Sequence, residues 1–142
     1  MKKLFKISLV LTIIAAIFAG CNKYPDGPKL SLRTKKARLC GDWTIEQVTY
    51  NGSDVTEAFK AVVGPAYVLD IEKDGKYHVH GLAEDSGTWK LGEDKDDVYF
   101  MSEKAGAVEV AYRILKLKNK ELWLRNTASN GDVTIIHYKP ED

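Results

Sequence analysis

Apolar and polar residues alternate in short runs from residue 41 to the C-terminus, and turn residues separate the runs. In the run at 66–72, Tyr67, Leu69 and Ile71 fall on one face. A period of two residues is typical of strands with one buried face. The pattern predicts eight strands, at Gly41–Tyr50, Ala66–Glu72, Lys76–Leu82, Ser86–Leu91, Val98–Ser102, Val108–Leu117, Glu121–Arg125 and Val133–Tyr138.

The connections between these strands are mostly short, and three of them carry the turn pairs Asp74-Gly75, Asn119-Lys120 and Asn130-Gly131. Short hairpin connections join antiparallel neighbours, so the strands are expected to follow one another as a meander. Eight strands are enough to close a barrel, which is either filled by side chains or holds one small ligand. The fold class predicted is therefore all-β, an antiparallel eight-stranded up-and-down barrel.

One segment departs from the alternation and predicts a helix over 54–63, directly after the first strand. Glu57 places an acid in the first turn, an aspartate or serine is available as N-cap, and Gly64-Pro65 ends the segment. Its apolar side is formed by Ala58, Phe59, Ala61, Val62 and Val63. We expect this helix to cap an open end of the barrel or to pack on its outside.

The residues predicted to point inward decide whether the barrel is filled or hollow. They are bulky and largely aliphatic or aromatic, which suits a filled core. The same composition suits an apolar pocket in which the hydroxyls of Tyr67, Tyr77 and Tyr112 act as polar handles. Both interpretations stay open from the sequence. The inward set is Trp43, Ile45, Leu69, Ile71, Tyr77, Val79, Trp89, Leu91, Val98, Phe100, Tyr112, Ile114, Leu122, Leu124 and Ile135.

The N-terminus has a different pattern, in which Lys2, Lys3 and Lys6 precede an apolar run over 7–19. This order is typical of a secretory signal. The run of 13 residues is shorter than the roughly 20 that a membrane-spanning helix needs, which argues against a permanent anchor. Residues 22–36 hold Pro25, Gly27 and Pro28 without periodicity and indicate a tether.

The end of the apolar run, Phe18-Ala19-Gly20-Cys21, resembles the lipobox of bacterial lipoproteins. This resemblance implies cleavage before Cys21 and attachment of lipid, including palmitate, to its thiol; ordinary cleavage near Gly20 is the alternative. Several acyl chains on one cysteine give a stable membrane anchor. The domain prediction is a signal peptide at 1–20, a lipidated N-terminus and tether at 21–37, and a barrel domain at 38–142.

Cleavage would leave 122 of the 142 residues, enough for one domain with one core. It removes three lysines, so 18 Lys and Arg remain against 20 Asp and Glu, a net charge of −2. That balance gives no electrostatic footprint for nucleic acid. With Cys21 lipidated, Cys40 has no internal disulfide partner. Its neighbours Leu39, Gly41 and Trp43 favour a small core residue over a nucleophile.

Three short motifs resemble a known family. Leu39-Cys40-Gly41-Asp42-Trp43 resembles the Gly-x-Trp opening of lipocalins, and Lys73-Asp74-Gly75-Lys76-Tyr77 and Ser86-Gly87-Thr88-Trp89-Lys90-Leu91 are similar to later segments of lipocalin-like lipoproteins of the Bacteroidetes group. The resemblance implies a small calycin-type barrel. It also implies structural roles for Gly41, for Trp43 at the closed end, and for Arg125 lying over the Trp43 indole.

No metal site, cofactor or catalytic residue is predicted. His78 and His80 share a strand face, but with Tyr77 and Val79 inward they are expected to face solvent. The acidic turn at 93–97 lacks the pattern of a calcium loop. Glu84 and Asp85 are adjacent on a strand and point to opposite faces, so they cannot flank one bond.

The function predicted is a non-enzymatic lipoprotein of the outer membrane, on its periplasmic face, with a barrel that binds a small hydrophobic ligand. The alternative is a filled barrel that docks a protein of an envelope complex through exposed Val48, Tyr99, Trp123 and Tyr138. Nucleic acid is not an expected partner. The candidate ligand-binding residues are Trp43, Tyr67, Tyr77, Trp89, Phe100 and Tyr112.

Overall fold

The fold is taken from a computed structural model, which describes residues 33–142. The predicted signal, Cys21 and most of the predicted tether lie outside the described residues. Two helices and nine strands follow in chain order. They are α1 Lys35–Leu39, β1 Gly41–Tyr50, β2 Ser53–Asp54, α2 Thr56–Val63, β3 Val68–Ile71, β4 Lys76–His80, β5 Asp85–Leu91, β6 Asp97–Ser102, β7 Val110–Leu117, β8 Leu122–Thr127 and β9 Val133–Pro140.

All strand pairings are antiparallel, and from β3 to β9 each strand pairs with the next along the chain. Strand β1 pairs with both β3 and β9, which closes an eight-stranded barrel. The two-residue strand β2 folds back on the end of β1 and takes no part in closure. The predicted eight-stranded up-and-down barrel is therefore confirmed.

The barrel has a closed end, defined by the turns at 72–75, 92–96 and 118–121 and by helix α1. Leu39 at the end of α1 is completely buried, and the Trp43 indole donates a hydrogen bond to its carbonyl oxygen over 2.9 Å. Between them, Gly41 has φ +142°, a backbone conformation that residues other than glycine rarely adopt. Gly41 thus lets the chain turn from α1 directly into β1.

Contacts of Lys35 in helix α1, and of Arg33 just before it, also hold this segment to the closed end. Lys35 pairs with Asp96 in the turn between β5 and β6 at 3.1 Å, and Arg33 reaches Asn119 in the turn between β7 and β8. The sequence predicted no helix at this position. The last part of the segment predicted as tether is therefore ordered against the barrel.

Helix α2 lies at the opposite, open end, between the end of β1 and the start of β3. The predicted helix is confirmed with a later start, because the Asp54 carboxylate accepts hydrogen bonds from the Thr56 amide and hydroxyl and turns the chain first. Val63 is buried, and its carbonyl accepts a hydrogen bond from the Leu82 amide. That bond ties α2 to the loop between β4 and β5.

The prediction that Val48 is exposed was wrong, since Val48 is completely buried. The pairing of β1 with β9 shifts register between Ile45 and Gln47. Such a bulge adds one residue to a strand and exchanges its inward and outward faces. Trp43 and Ile45 point inward before the bulge, and Val48 does so after it.

The faces of β9 were also assigned wrongly. Ile136 and Tyr138 are buried, at 6% and 3% exposure, while Ile135, predicted to point inward, is less buried. Ile136 lies opposite Val48 of β1 and Leu124 of β8, both inward residues. Tyr138 is consequently part of the interior and not of an outer docking face.

Arg125 does not lie over Trp43. It is exposed on β8, where Leu122 and Leu124 point into the barrel and alternation turns Arg125 outward. Trp43 is buried on the inner face of β1, with only 3% of its surface exposed. The barrel wall separates the two side chains, so the implied guanidinium–indole contact is absent.

Candidate functional site

A cavity of about 160 Å³ opens at the end of the barrel opposite α1. Four of the six residues predicted to bind a ligand line it together: Tyr67, Tyr77, Phe100 and Tyr112. Tyr67 directly precedes β3, and the other three stand on β4, β6 and β7, where alternation turns them inward. The tyrosines and the phenylalanine of the predicted site are therefore assembled at one place.

Trp43 and Trp89, the other two predicted ligand residues, do not line the cavity. Both are buried in the closed half of the barrel, and both indole N–H groups are already used. Trp43 donates to the Leu39 carbonyl and Trp89 to the Glu72 carbonyl, at 2.9 and 2.8 Å. These two rings fill the interior beneath the cavity and tie the barrel to its closing segments.

A polar cluster of Tyr77, Asp85 and Ser102 forms one wall of the cavity. The Tyr77 hydroxyl donates to one carboxylate oxygen of Asp85 over 2.7 Å, and the Ser102 hydroxyl donates to the other over 2.5 Å. The three residues stand on the neighbouring strands β4, β5 and β6. Lys104 lies 3.9 Å from the same carboxylate on the solvent side.

The charge states of this wall follow from its contacts. Burial raises the pKa of Asp85, but the hydrogen bonds from Ser102 and Tyr77 outweigh it, so the pKa of the carboxyl lies below its usual value. Burial likewise raises the pKa of Tyr77 and Tyr112 above their usual values. At neutral pH the cavity thus carries one carboxylate and neutral phenols.

The rings around the cavity form a continuous edge-to-face series. Tyr77 and Phe100 have centroids 5.1 Å apart with planes at 82°, and Phe100 and Tyr112 follow at 5.8 Å and 81°. On the other side, the hydroxyls of Tyr67 and Tyr138 lie 3.4 Å apart. Edge-to-face packing is a favourable arrangement for aromatic pairs. The series holds the rings in place around the cavity.

Space remains in this half of the barrel because its inward side chains are small. Gly87 is buried on β5 opposite both Tyr77 and Ser102, where the backbones of β5 and β6 approach closely. The inward positions nearest the mouth are Val79, Asp85, Ser102 and Val110, all smaller than the tryptophans of the closed half. The interior is therefore filled in the closed half and open in the half next to the mouth.

Sequence reasoning missed Asp85, Ser102 and Tyr138 as site residues. The strand β5 begins at Asp85, one residue before the predicted start, and alternation with Trp89 would have turned Asp85 inward. Ser102 ends β6 on the same face as Phe100, which the period of two also gives. Tyr138 was missed as a site residue because Ile135 was assigned to the inward face of β9.

The remaining candidate residues are arranged as predicted for the outer surface. His78 and His80 lie on the outer face of β4, and His78 pairs with Glu72 at 3.1 Å. The acidic turn after β5 forms ion pairs with basic side chains. Asp96 is paired with Lys35, and Asp97 is paired with Arg113. Within residues 33–142 no three His, Cys, Asp or Glu side chains converge to hold a metal ion.

The fold has a counterpart among solved structures. The structure is similar to the crystal structure of a lipocalin-like protein from Bacteroides uniformis ATCC 8492, with a TM-score of 0.54 and 14% sequence identity. The match covers 73% of this chain and 99% of the other. No family model and no curated protein sequence matches. The chain therefore has a lipocalin-like barrel fold.

Proposed function

We propose that this protein is a membrane-anchored lipoprotein whose barrel binds a small, largely apolar ligand without transforming it. The observation that carries the binding function is the cavity at the open end, with its aromatic wall. An apolar cavity of about 150 Å³ suffices to hold benzene. The cavity here, about 160 Å³, fits a ligand built on one ring or a short branched chain.

The proposal that the ligand is bound and not transformed rests on how the polar groups of the cavity are used. The Ser102 hydroxyl donates to Asp85, so its proton faces a carboxylate acceptor and not an imidazole base. No histidine is among the described residues that line the cavity. Both hydroxyls of the cluster already donate to Asp85, an arrangement that suits recognition.

Filling the mouth of the cavity is expected to abolish binding. Val110 lines the cavity at the start of β7 and is 36% exposed, so Val110→Trp has room to place an indole across the entrance. We expect the Kd for tert-butylbenzene to rise at least about tenfold, or 1.4 kcal/mol. The measurement is an NMR titration of the purified protein.

The matched control is Ala111→Trp, which adds the same ring one residue along the strand on the outer face. This variant is expected to bind tert-butylbenzene like the unmodified protein. Equal binding by both variants would contradict a ligand site at the open end. Thermal melting of each variant checks that both fold.

The proposed attachment to a membrane is supported by the resemblance of the segment ending at Cys21 to a lipobox. Among residues 33–142, none of the helices has the length and apolar character required to cross a membrane. A lipid on Cys21 would supply the attachment. We propose the outer membrane and its periplasmic face, because residues 22–26 lack a dense acidic run.

Metabolic labelling with an alkynyl palmitate analogue tests the anchor. The unmodified protein is expected to take up the label and to sediment with membranes, and Cys21→Ser is expected to lose both properties. Cys40→Ser is the matched control and should keep them, because Cys40 is partly buried against the core. Labelling that survives in Cys21→Ser would contradict the proposal, and protease treatment of intact cells reports the membrane face.

The alternative of a docking module with a filled barrel is less well supported. Two of its four proposed anchors, Val48 and Tyr138, are buried in the interior. A third, Trp123, is covered by its own neighbours, with His137 stacked at 3.9 Å and the Lys116 ammonium 4.2 Å from the ring centroid. The outer face therefore offers little of the exposed aromatic surface that this function needs.

A further inference from the structure

The cavity contains one charged group among the described residues that line it, the carboxylate of Asp85. The other lining side chains are aromatic, aliphatic or hydroxyl-bearing. A carboxylate in such surroundings is costly unless it is hydrogen-bonded or paired with a cation. Its presence in an otherwise neutral pocket therefore bears directly on which ligands are accepted.

Asp85 is held in place by hydrogen bonds and can accept more of them. Tyr77 donates to one oxygen and Ser102 to the other. An ionised carboxylate has about four acceptor sites, so these two hydroxyls and the Ser86 amide leave room for a ligand donor. The side chain keeps 26% of its surface exposed, which lets a group in the cavity reach it.

The cation nearest to Asp85 is poorly fixed. The Lys104 ammonium is 3.9 Å away, its side chain is 67% exposed, and it donates a shorter hydrogen bond of 2.7 Å to the Glu84 carbonyl. An ion pair between exposed groups at this separation contributes little. Lys104 thus leaves much of the carboxylate's charge uncompensated on the cavity side.

The aromatic wall favours the same kind of ligand. Ring faces carry negative potential, and a cation within about 6 Å of a ring centroid is attracted to them. Tyr77, Phe100 and Tyr112 are locked edge to face around the cavity, and Asp85 is bonded to the first of them. A positively charged group beside Asp85 would therefore lie close to these rings as well as to a carboxylate.

The open end as a whole is acidic. The segments that surround it (51–67, 81–85, 103–109 and 128–132) contain seven carboxylates and two lysines, Lys60 and Lys104. One of the seven, Glu109, is paired with Lys90 on the outer wall. Charge of one sign around a cleft raises the local concentration of oppositely charged ligands and repels like-charged ones. The carboxylates are Asp54, Glu57, Glu84, Asp85, Glu103, Glu109 and Asp132.

We infer that the ligand of this barrel is a small organic cation, an amine or quaternary ammonium on a one-ring or short apolar body, with its charge against Asp85 and its apolar part among the tyrosine and phenylalanine rings. This inference rests on the proposed binding function and names its ligand class. Carboxylic acids, including fatty acids, are excluded by the same carboxylate.

An isosteric pair of probes tests the inference on the unmodified full-length protein. Phenyltrimethylammonium and tert-butylbenzene have the same shape and differ by one charge. The cation is expected to bind at least about tenfold more tightly, and benzoate is expected not to bind. Equal affinities for the two isosteres, or binding of benzoate, would overturn the inference and leave the proposed function standing. Binding of neither isostere would overturn both.

Three variants locate the effect. Asp85→Asn is expected to bring the affinity for the cation down to that for the neutral isostere, while Glu84→Gln, which removes a charge from the rim, is expected to change the ratio less than twofold. Lys104→Gln removes the competing ammonium and is expected to tighten cation binding severalfold without affecting tert-butylbenzene. If Asp85→Asn does not fold, the isosteric pair and benzoate measured on the unmodified protein decide; equal affinities for the two isosteres, or binding of benzoate, contradict the inference.

Discussion

Replacing Gly87 by alanine is expected to lower the free energy of unfolding by about 3 kcal/mol or more. A methyl group at this position would lie 1.9 Å from the Met101 carbonyl oxygen and 2.8 Å from its carbonyl carbon. These are backbone atoms of β6 and cannot rotate away. Strands β5 and β6 would have to separate along their paired length. Urea denaturation of the purified variant measures the loss.

Gly92→Ala is the control for this substitution. Gly92 follows β5, and the nearest atom to an added methyl group is a ring carbon of Tyr99 at 3.3 Å, a side chain that can move. We expect its stability to change by less than about 1 kcal/mol. A loss of similar size in both variants would mean that the close approach of β5 and β6 at Gly87 is not what requires glycine.

Truncation of Leu39 to alanine is expected to cost about 3–4 kcal/mol, within the 2–5 kcal/mol typical of buried leucines. Leu39 is the residue through which α1 closes the barrel, and none of its surface is exposed. Its removal leaves a void at the closed end that the rigid strands cannot fill. The change is measured by the same urea denaturation.

Leu82→Ala removes the same atoms from a residue that is 76% exposed, and should cost no more than about 0.5 kcal/mol. Ligand binding offers a second check, because the cavity lies at the other end of the barrel. Leu39→Ala is expected to keep the affinity for tert-butylbenzene at temperatures where it is folded. A stable Leu39→Ala variant would show that α1 rests on the barrel without closing it.

Most of the barrel could be predicted from the sequence because its signals are local. Alternation gives each strand, and pairs such as Asp74-Gly75 give the hairpins, so the order and closure follow. The assignment of inward faces failed where the local pattern is ambiguous. The bulge in β1 exchanges the faces before Val48, and the adjacent Ile135 and Ile136 satisfy either assignment of β9. Helix α1 has five residues, too few to show a helical period.

The site was predicted in part for the same reason. Large aromatic residues at inward positions are visible in the sequence, so Tyr67, Tyr77, Phe100 and Tyr112 could be identified as candidates. Which inward aromatic residues line a space depends on the side chains above and below them, and Trp43 and Trp89 are packed in the filled half. Asp85 could not be recognised from its neighbours alone, because its role depends on hydroxyls from two other strands.

The position of α1 also gives the barrel a direction. The chain toward the N-terminus leaves from the closed end at Arg33, and Cys21 precedes it by 12 residues, at most about 40 Å of extended chain. In a molecule anchored at Cys21, the tether would join the barrel at the end opposite the mouth of the cavity. The mouth would then stay open to ligands from water. A barrel of this kind suits soluble, charged ligands that are bound near a membrane but come from the aqueous phase.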